Sequence, residues 1–135
     1  HMAALSTIEG IGEVYQNTLK ESGITSVEKL LEAGSTKAGR AKLAETTNLS
    51  DKLLLKWINH ADLMRIKGIG GEYSELLEAA GVDTVPELAG RRADNLYAKM
   101  CEINDAKKLV RKLPTQEQVA GWVEQAKALP RIIHY

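Results

Sequence analysis

The chain has 135 residues, of which 44% are hydrophobic, so it can bury a core and is not globally disordered. Its 18 basic and 18 acidic residues cancel, which argues against a protein whose whole surface attracts phosphate. One cysteine, Cys101, excludes a disulfide framework and a thiol-ligated metal site. No apolar run is long enough to cross a bilayer, and no secretory leader is visible, so we expect a cytoplasmic protein without a membrane partner.

Helical patterning covers the first half of the chain. A hydroxyl at Ser6 followed by Glu9 fits a helix-capping box, and Gly23 falls where a helix ends in a left-handed residue. Nothing alternates long enough to suggest a strand. The predicted helices span about 12–22, 27–33, 36–46 and 50–64.

The second half shows the same kind of punctuation. Thr84 with Glu87 and Thr115 with Gln118 fit further capping boxes, and a left-handed helix end is predicted at Gly81. The predicted helices span about 70–80, 85–90, 93–103, 105–112 and 115–128.

The two halves are diverged copies of one unit. Residues 8–30 align without a gap on residues 66–88, and the match resumes near the second tryptophan after about seven extra residues in the region of 104–114. The identical or similar pairs include Ile8/Ile66, Gly10/Gly68, Ile11/Ile69, Gly12/Gly70, Tyr15/Tyr73, Gly23/Gly81 and Trp57/Trp122. We predict an all-α protein with one four- to five-helix unit at 3–65 and another at 66–135. Because no flexible spacer separates them, we expect the units to pack as one body.

The most specific signal is the pair of segments Ile8–Gly12 and Ile66–Gly70, each with two glycines around one isoleucine. Glycine allows the tight turn, and the second glycine begins a helix whose first N–H groups lack internal partners. Such N–H groups can hold a phosphate. The intervening isoleucine, Ile11 or Ile69, is expected to plug into the helices beneath.

This pattern resembles the helix-hairpin-helix motif of DNA repair and recombination proteins, especially the small N-terminal helical domain of recombinases of the RecA/Rad51 type, a SAM-like fold. From about Leu5 to Tyr135 the chain also resembles DUF4332, a bacterial family of unknown function that repeats such units. The resemblance implies sequence-independent contact with the backbone of double-stranded DNA. It implies no catalysis and no cofactor.

The resemblance suggests a set of nucleic-acid-binding residues. Lys67 makes the second hairpin better suited to bind phosphate, whereas Glu9 and Glu13 repel phosphate at the first hairpin. The cationic stretch at 107–112 lies within the extra residues. It either binds phosphates beside the second hairpin or is a solvated helix face. The predicted set is Gly68, Ile69, Gly70, Lys67, Gly10, Gly12, Lys107, Lys108, Arg111 and Lys112.

Other conspicuous residues have simpler interpretations. Trp57 and Trp122 are expected to be buried anchors, and the hydroxyls of Tyr15 and Tyr73 to reach backbone groups near the hairpins. Cys101 has no histidine near it in sequence and is expected to be a buried core residue rather than a nucleophile.

Three classes of function remain open. The first is a binder of double-stranded DNA, and the second is a protein-interaction adaptor that keeps the hairpins as structural turns, as the neutral charge suggests. An enzyme with a small-molecule substrate is the third and is disfavoured. The apolar tail at 131–135 either folds back over the core or docks against another chain, as an adaptor would require.

Overall fold

The computed structural model describes residues 2–135, and within that range the protein has eight α-helices and no strand, which confirms the all-α prediction. The chain forms two compact units. The first contains the residues up to Asp62 together with Ile132–Tyr135, and the second contains Leu63–Arg131. None of the helices in this described range is both long enough and apolar enough to span a membrane.

The first unit begins with a short 3₁₀ helix at Leu5–Thr7. Ser6 lies inside this helix, so the capping box predicted there is wrong. Hydroxyl caps do begin α2 and α3, where Ser26 accepts the N–H of Lys29 and Thr36 accepts that of Gly39. The helices are α1 (Glu13–Glu21), α2 (Val27–Ala33), α3 (Lys37–Thr47) and α4 (Asp51–Leu63).

The second unit also has four helices. The capping box at Thr115 and Gln118 is confirmed in full. The one at Thr84 is not, because its hydroxyl donates to the Glu87 carboxylate at 3.1 Å instead of capping the helix. The helices are α5 (Gly71–Ala79), α6 (Val85–Ala89), α7 (Ala93–Lys107) and α8 (Gln116–Lys127).

A separate helix at 105–112 is the main error of the sequence prediction. Helix α7 continues to Lys107 and ends at Lys108, whose φ of 54° is left-handed. The Asn104 side chain then turns the chain back, since its Oδ1 accepts the N–H of Val110 at 2.9 Å. The cationic stretch is therefore a helix end followed by an irregular segment, not a helix face.

Aliphatic side chains fill the cores, as expected of a chain without phenylalanine. In the first unit the fully buried residues include Leu5, Ile8, Leu19, Leu30, Leu54 and Trp57. The core of the second unit includes Leu76, Leu77, Val82, Val85, Leu88, Leu96, Met100, Val119 and Trp122.

The tail Ile132–Tyr135 belongs to the first unit. The N–H of His134 donates to the carbonyl of Ser35 at 2.8 Å, and the Arg40 guanidinium donates to the carbonyl of His134 at 2.9 Å. Arg40 also lies 5.6 Å from the centre of the Tyr135 ring, and Ile133 is 1% exposed. Of the two alternatives for this tail, folding back is the one found.

Candidate nucleic-acid interface

The first hairpin is a glycine turn that leads into α1. Gly10 has a φ of 93°, a conformation that L side chains rarely adopt. The N–H of Ile11 closes the turn by donating to the carbonyl of Ile8 at 3.1 Å. Gly12 is the N-cap of α1 and supplies no side chain to cap it. Ile11 is buried, as expected of the residue that plugs the turn.

The second hairpin has the same backbone. Gly68 has a φ of 98°, and Ile69 donates to the carbonyl of Ile66 at 3.2 Å. Gly70 is the N-cap of α5. Ile69 is buried whereas Lys67 and Gly68 are exposed, so the accessible edge of this turn is Lys67–Gly68. The repeat seen in the sequence is therefore a repeat of local geometry at both turns.

An aromatic pair supports each turn from below. The indole Nε1 of a tryptophan in the unit's last helix lies next to the positive-φ glycine, at 3.7 Å in the first unit and 3.0 Å in the second from where a Cβ on that glycine would sit. The tryptophan packs against a tyrosine, with ring centres 4.9 Å apart in the first unit and 5.2 Å in the second. The groups are Gly10, Tyr15 and Trp57, and Gly68, Tyr73 and Trp122. Both tryptophans are buried anchors, as predicted.

Gln125 of α8 holds the second hairpin by its backbone. Its Oε1 accepts the N–H of Lys67 at 3.0 Å, and its Nε2 donates to the carbonyl of Lys67 at 3.2 Å. The Lys67 side chain thus extends from a fixed point of the main chain. Sequence reasoning missed Gln125, since the repeat pairs it with His60 and the difference gave no signal.

Arg111 is fastened to the first turn of α5 through Glu72. The Arg111 N–H donates to Glu72 Oε1 at 3.0 Å, its Nε donates to Oε2 at 2.9 Å, and its Nη2 lies 2.8 Å from Oε2. Lys112, the next residue, is also held in place, because the Tyr73 hydroxyl donates to its carbonyl at 2.8 Å. The prediction that this hydroxyl reaches a backbone group is confirmed. The carboxylate beside the second hairpin is thereby neutralised.

Five of the extra residues of the second unit lie in the connection between α7 and α8 and have no counterpart in the first unit. Helix α3 is followed by Asn48, which is left-handed with a φ of 59°, and Ser50 then caps α4. The matching positions in the second unit are Lys108 and Thr115, and the additional residues between them are Val110–Pro114, which we call the arm. Val110 anchors the arm in the core of the second unit.

The structure brings part of the predicted set together. Helix α5 begins directly after Gly70, and its first turn contacts Arg111 and Lys112. The glycine turn that precedes this helix contains Lys67, Gly68 and Ile69. Lys107 ends α7 and Lys108 caps it, with the Lys108 ammonium 3.8 Å from Asp105. Within residues 2–135, no hydrogen bond or ion pair joins either lysine to the second hairpin. Gly10 and Gly12 belong to the other turn, in the first unit.

Cys101 is half-buried rather than fully buried as predicted. Its side chain hydrogen-bonds with Tyr97 and raises the pKa of that phenol. Among residues 2–135, no cluster of three or more His, Cys, Asp or Glu side chains could hold a metal ion.

Acid is expected to weaken the contact between Arg111 and Glu72. Hydrogen bonds from Arg111, first its N–H and then its guanidinium, lower the pKa of Glu72 below the ordinary value of 4.5. Because the charged carboxylate holds Arg111, its stabilising contribution is complete above that value and is lost as the pH falls through the lowered pKa. We expect the amide resonance of Arg111 to move as the pH falls below this ordinary value and through the lowered pKa. In Glu72→Gln this transition should vanish; an unchanged midpoint would show that another group titrates.

The described residues define an all-α protein in which one glycine turn with one aromatic support occurs twice. The chain belongs to the DUF4332 family, a domain of unknown function, whose family model matches residues 9–129. No curated protein and no solved structure gives a significant match.

Proposed function

We propose that the chain is a non-catalytic binding module whose second hairpin contacts the phosphate backbone of double-stranded DNA without reading its sequence. The helix-hairpin-helix resemblance, including that to the N-terminal domain of RecA/Rad51-type recombinases, supports this proposal. The lone cysteine supports a reducing, cytoplasmic setting.

The observation that carries the proposal is the fastening of Arg111 to Glu72. Without it, a carboxylate on the first turn of α5 would repel a phosphate at the Gly68–Gly70 turn. With it, the guanidinium offsets that charge, and Lys112 is held at the same helix end with its side chain exposed. An overall neutral chain thus gains local positive charge beside a turn suited to phosphate.

Two groups are proposed to meet the phosphates. The exposed Lys67–Gly68 edge presents a cation on a backbone that Gln125 holds in place, and Lys112 supplies a second cation from the arm. Both contacts are made to phosphate, which carries no base information, so affinity is expected to be independent of sequence. Glu9 and Glu13 make the first hairpin a poor counterpart.

Reversing the charge of Lys67 tests the proposal. Lys67→Glu is expected to weaken binding of a labelled duplex about fivefold or more, which corresponds to about 1 kcal/mol. Wild-type affinity should fall as salt rises from about 50 to about 200 mM, because bound counterions are released. Fluorescence anisotropy at both salt concentrations, with two unrelated duplex sequences, measures each effect.

Lys29→Glu is the matched control, since it makes the same charge change at an exposed position of α2. It should leave the affinity within about twofold of wild type. Equal losses of duplex affinity in Lys67→Glu and Lys29→Glu would mean that only the net charge of the protein matters. A preference for one duplex sequence would contradict the mechanism.

A further inference from the structure

We propose that α1 of the first unit docks an extended, basic segment of a partner protein across Val14 and Tyr15. The site lies on the first unit and does not rest on the proposed DNA contact, which uses the second.

The second unit shows how such a segment sits. There the chain's own arm crosses the first turn of α5, where Glu72 holds Arg111 and the Tyr73 hydroxyl donates to the carbonyl of Lys112. The arm is irregular rather than helical, and it is held through the N–H and guanidinium of Arg111 and the carbonyl of Lys112.

The first unit presents the same face without a cover from its own α3–α4 connection, which lacks the arm. Val14 and Tyr15 occupy the positions of Glu72 and Tyr73, and Tyr15 packs against Trp57 as Tyr73 packs against Trp122. Val14 is 76% exposed and Tyr15 37% exposed, which makes them two adjacent apolar residues in solvent at a helix start.

The residues of this face specify the chemistry of the occupant. With valine in place of Glu72, an apolar side chain fits where Arg111 lies in the second unit. The Tyr15 hydroxyl is free to donate to a backbone carbonyl of the occupant in the way that the Tyr73 hydroxyl donates to Lys112. The exposed carboxylates of Glu9 and Glu13 flank the face and favour cations on the occupant.

The same carboxylates argue against nucleic acid at this face. A phosphate placed at the first hairpin would face Glu9 and Glu13, and no counterpart of Arg111 exists there to offset them. The negative charges of Glu9 and Glu13 attract a basic peptide, whereas they repel the phosphates of a duplex. Five extended residues span about 17 Å, enough to cross the first turns of a helix.

The test uses the full chain and a synthetic peptide with the sequence of residues 107–114, carrying leucine at the position of Arg111. Amide resonances of the ¹⁵N-labelled protein are followed during titration with the peptide. Saturable shifts are expected at residues 13–16, and Val14→Asp should weaken the peptide about tenfold or more. Because Val14 is exposed, this variant should keep the wild-type helical spectrum.

Two controls make the result specific. Asn17→Asp adds the same charge to the same helix but keeps Val14, so it should bind the peptide as well as wild type or more tightly. A peptide with its lysines replaced by glutamate should not bind. The proposal is overturned by an absence of saturable shifts at millimolar peptide, by binding that survives Val14→Asp, or by shifts of residues 13–16 with duplex DNA instead.

Discussion

Replacing Trp122 with alanine is expected to lower the free energy of unfolding by about 3–5 kcal/mol. The indole is only 3% exposed, packs against Tyr73, and fills the space directly below Gly68. Its removal leaves a cavity under a turn whose backbone cannot collapse freely, because Gln125 holds Lys67 in place. Packing loss and cavity formation therefore act together.

Urea unfolding followed by far-ultraviolet circular dichroism measures the loss. Trp122→Phe is the matched control, because it keeps an aromatic ring against Tyr73 and should lose clearly less than the alanine variant. A loss below about 1 kcal/mol for Trp122→Ala would show that the tryptophan does not support the turn.

Placing a side chain on Gly68 is expected to destabilise the protein by about 2–3 kcal/mol, even for alanine. At a φ of 98° an L residue is strained, at about 1–3 kcal/mol. A Cβ there would also lie 3.0 Å from the indole Nε1 of Trp122, closer than ordinary van der Waals contact. The ring lies in a packed core and cannot yield without disturbing its neighbours.

Gly10→Ala is the matched variant in the first unit. Its φ of 93° brings the same strain, but its Cβ would lie 3.7 Å from the indole of Trp57, an ordinary contact. We expect a loss of about 1–2 kcal/mol there, smaller than at Gly68. Equal losses, or a larger one at Gly10, would mean that close approach to the tryptophan contributes nothing.

Much of the fold was predictable because it is local and occurs twice. The helix start at Thr115 follows from its capping box, which acts within one turn of the chain, whereas the boxes predicted at Ser6 and Thr84 did not form. The buried state of Trp57 and Trp122 follows from comparing the copies, since a repeated unit reuses its core. The positive φ at Gly10 and Gly68 follows from the spacing of glycines around one isoleucine.

The arm was not predictable by the same reasoning. Its residues exist in one copy only, so no comparison between copies constrains them. Their apolar and basic pattern fits a helix. However, the Asn104 side chain accepts a hydrogen bond from the N–H of Val110, and α7 ends at Lys108. The fastening of Arg111 to Glu72 joins residues 39 positions apart, a distance over which periodicity carries no information.

The tail has a consequence for synthesis of the protein. The carbonyl of His134 meets Arg40 across 94 positions of sequence, so the first unit is assembled from two separate stretches of chain with all of the second unit's residues between them. On the ribosome, α1–α4 emerge well before the residues that complete their packing. The last contacts of the first unit therefore form only after residues 63–131 have been made, although its helices are synthesised before those of the second unit. A fragment ending after α4 would lack the contacts that His134 makes with Ser35 and Arg40.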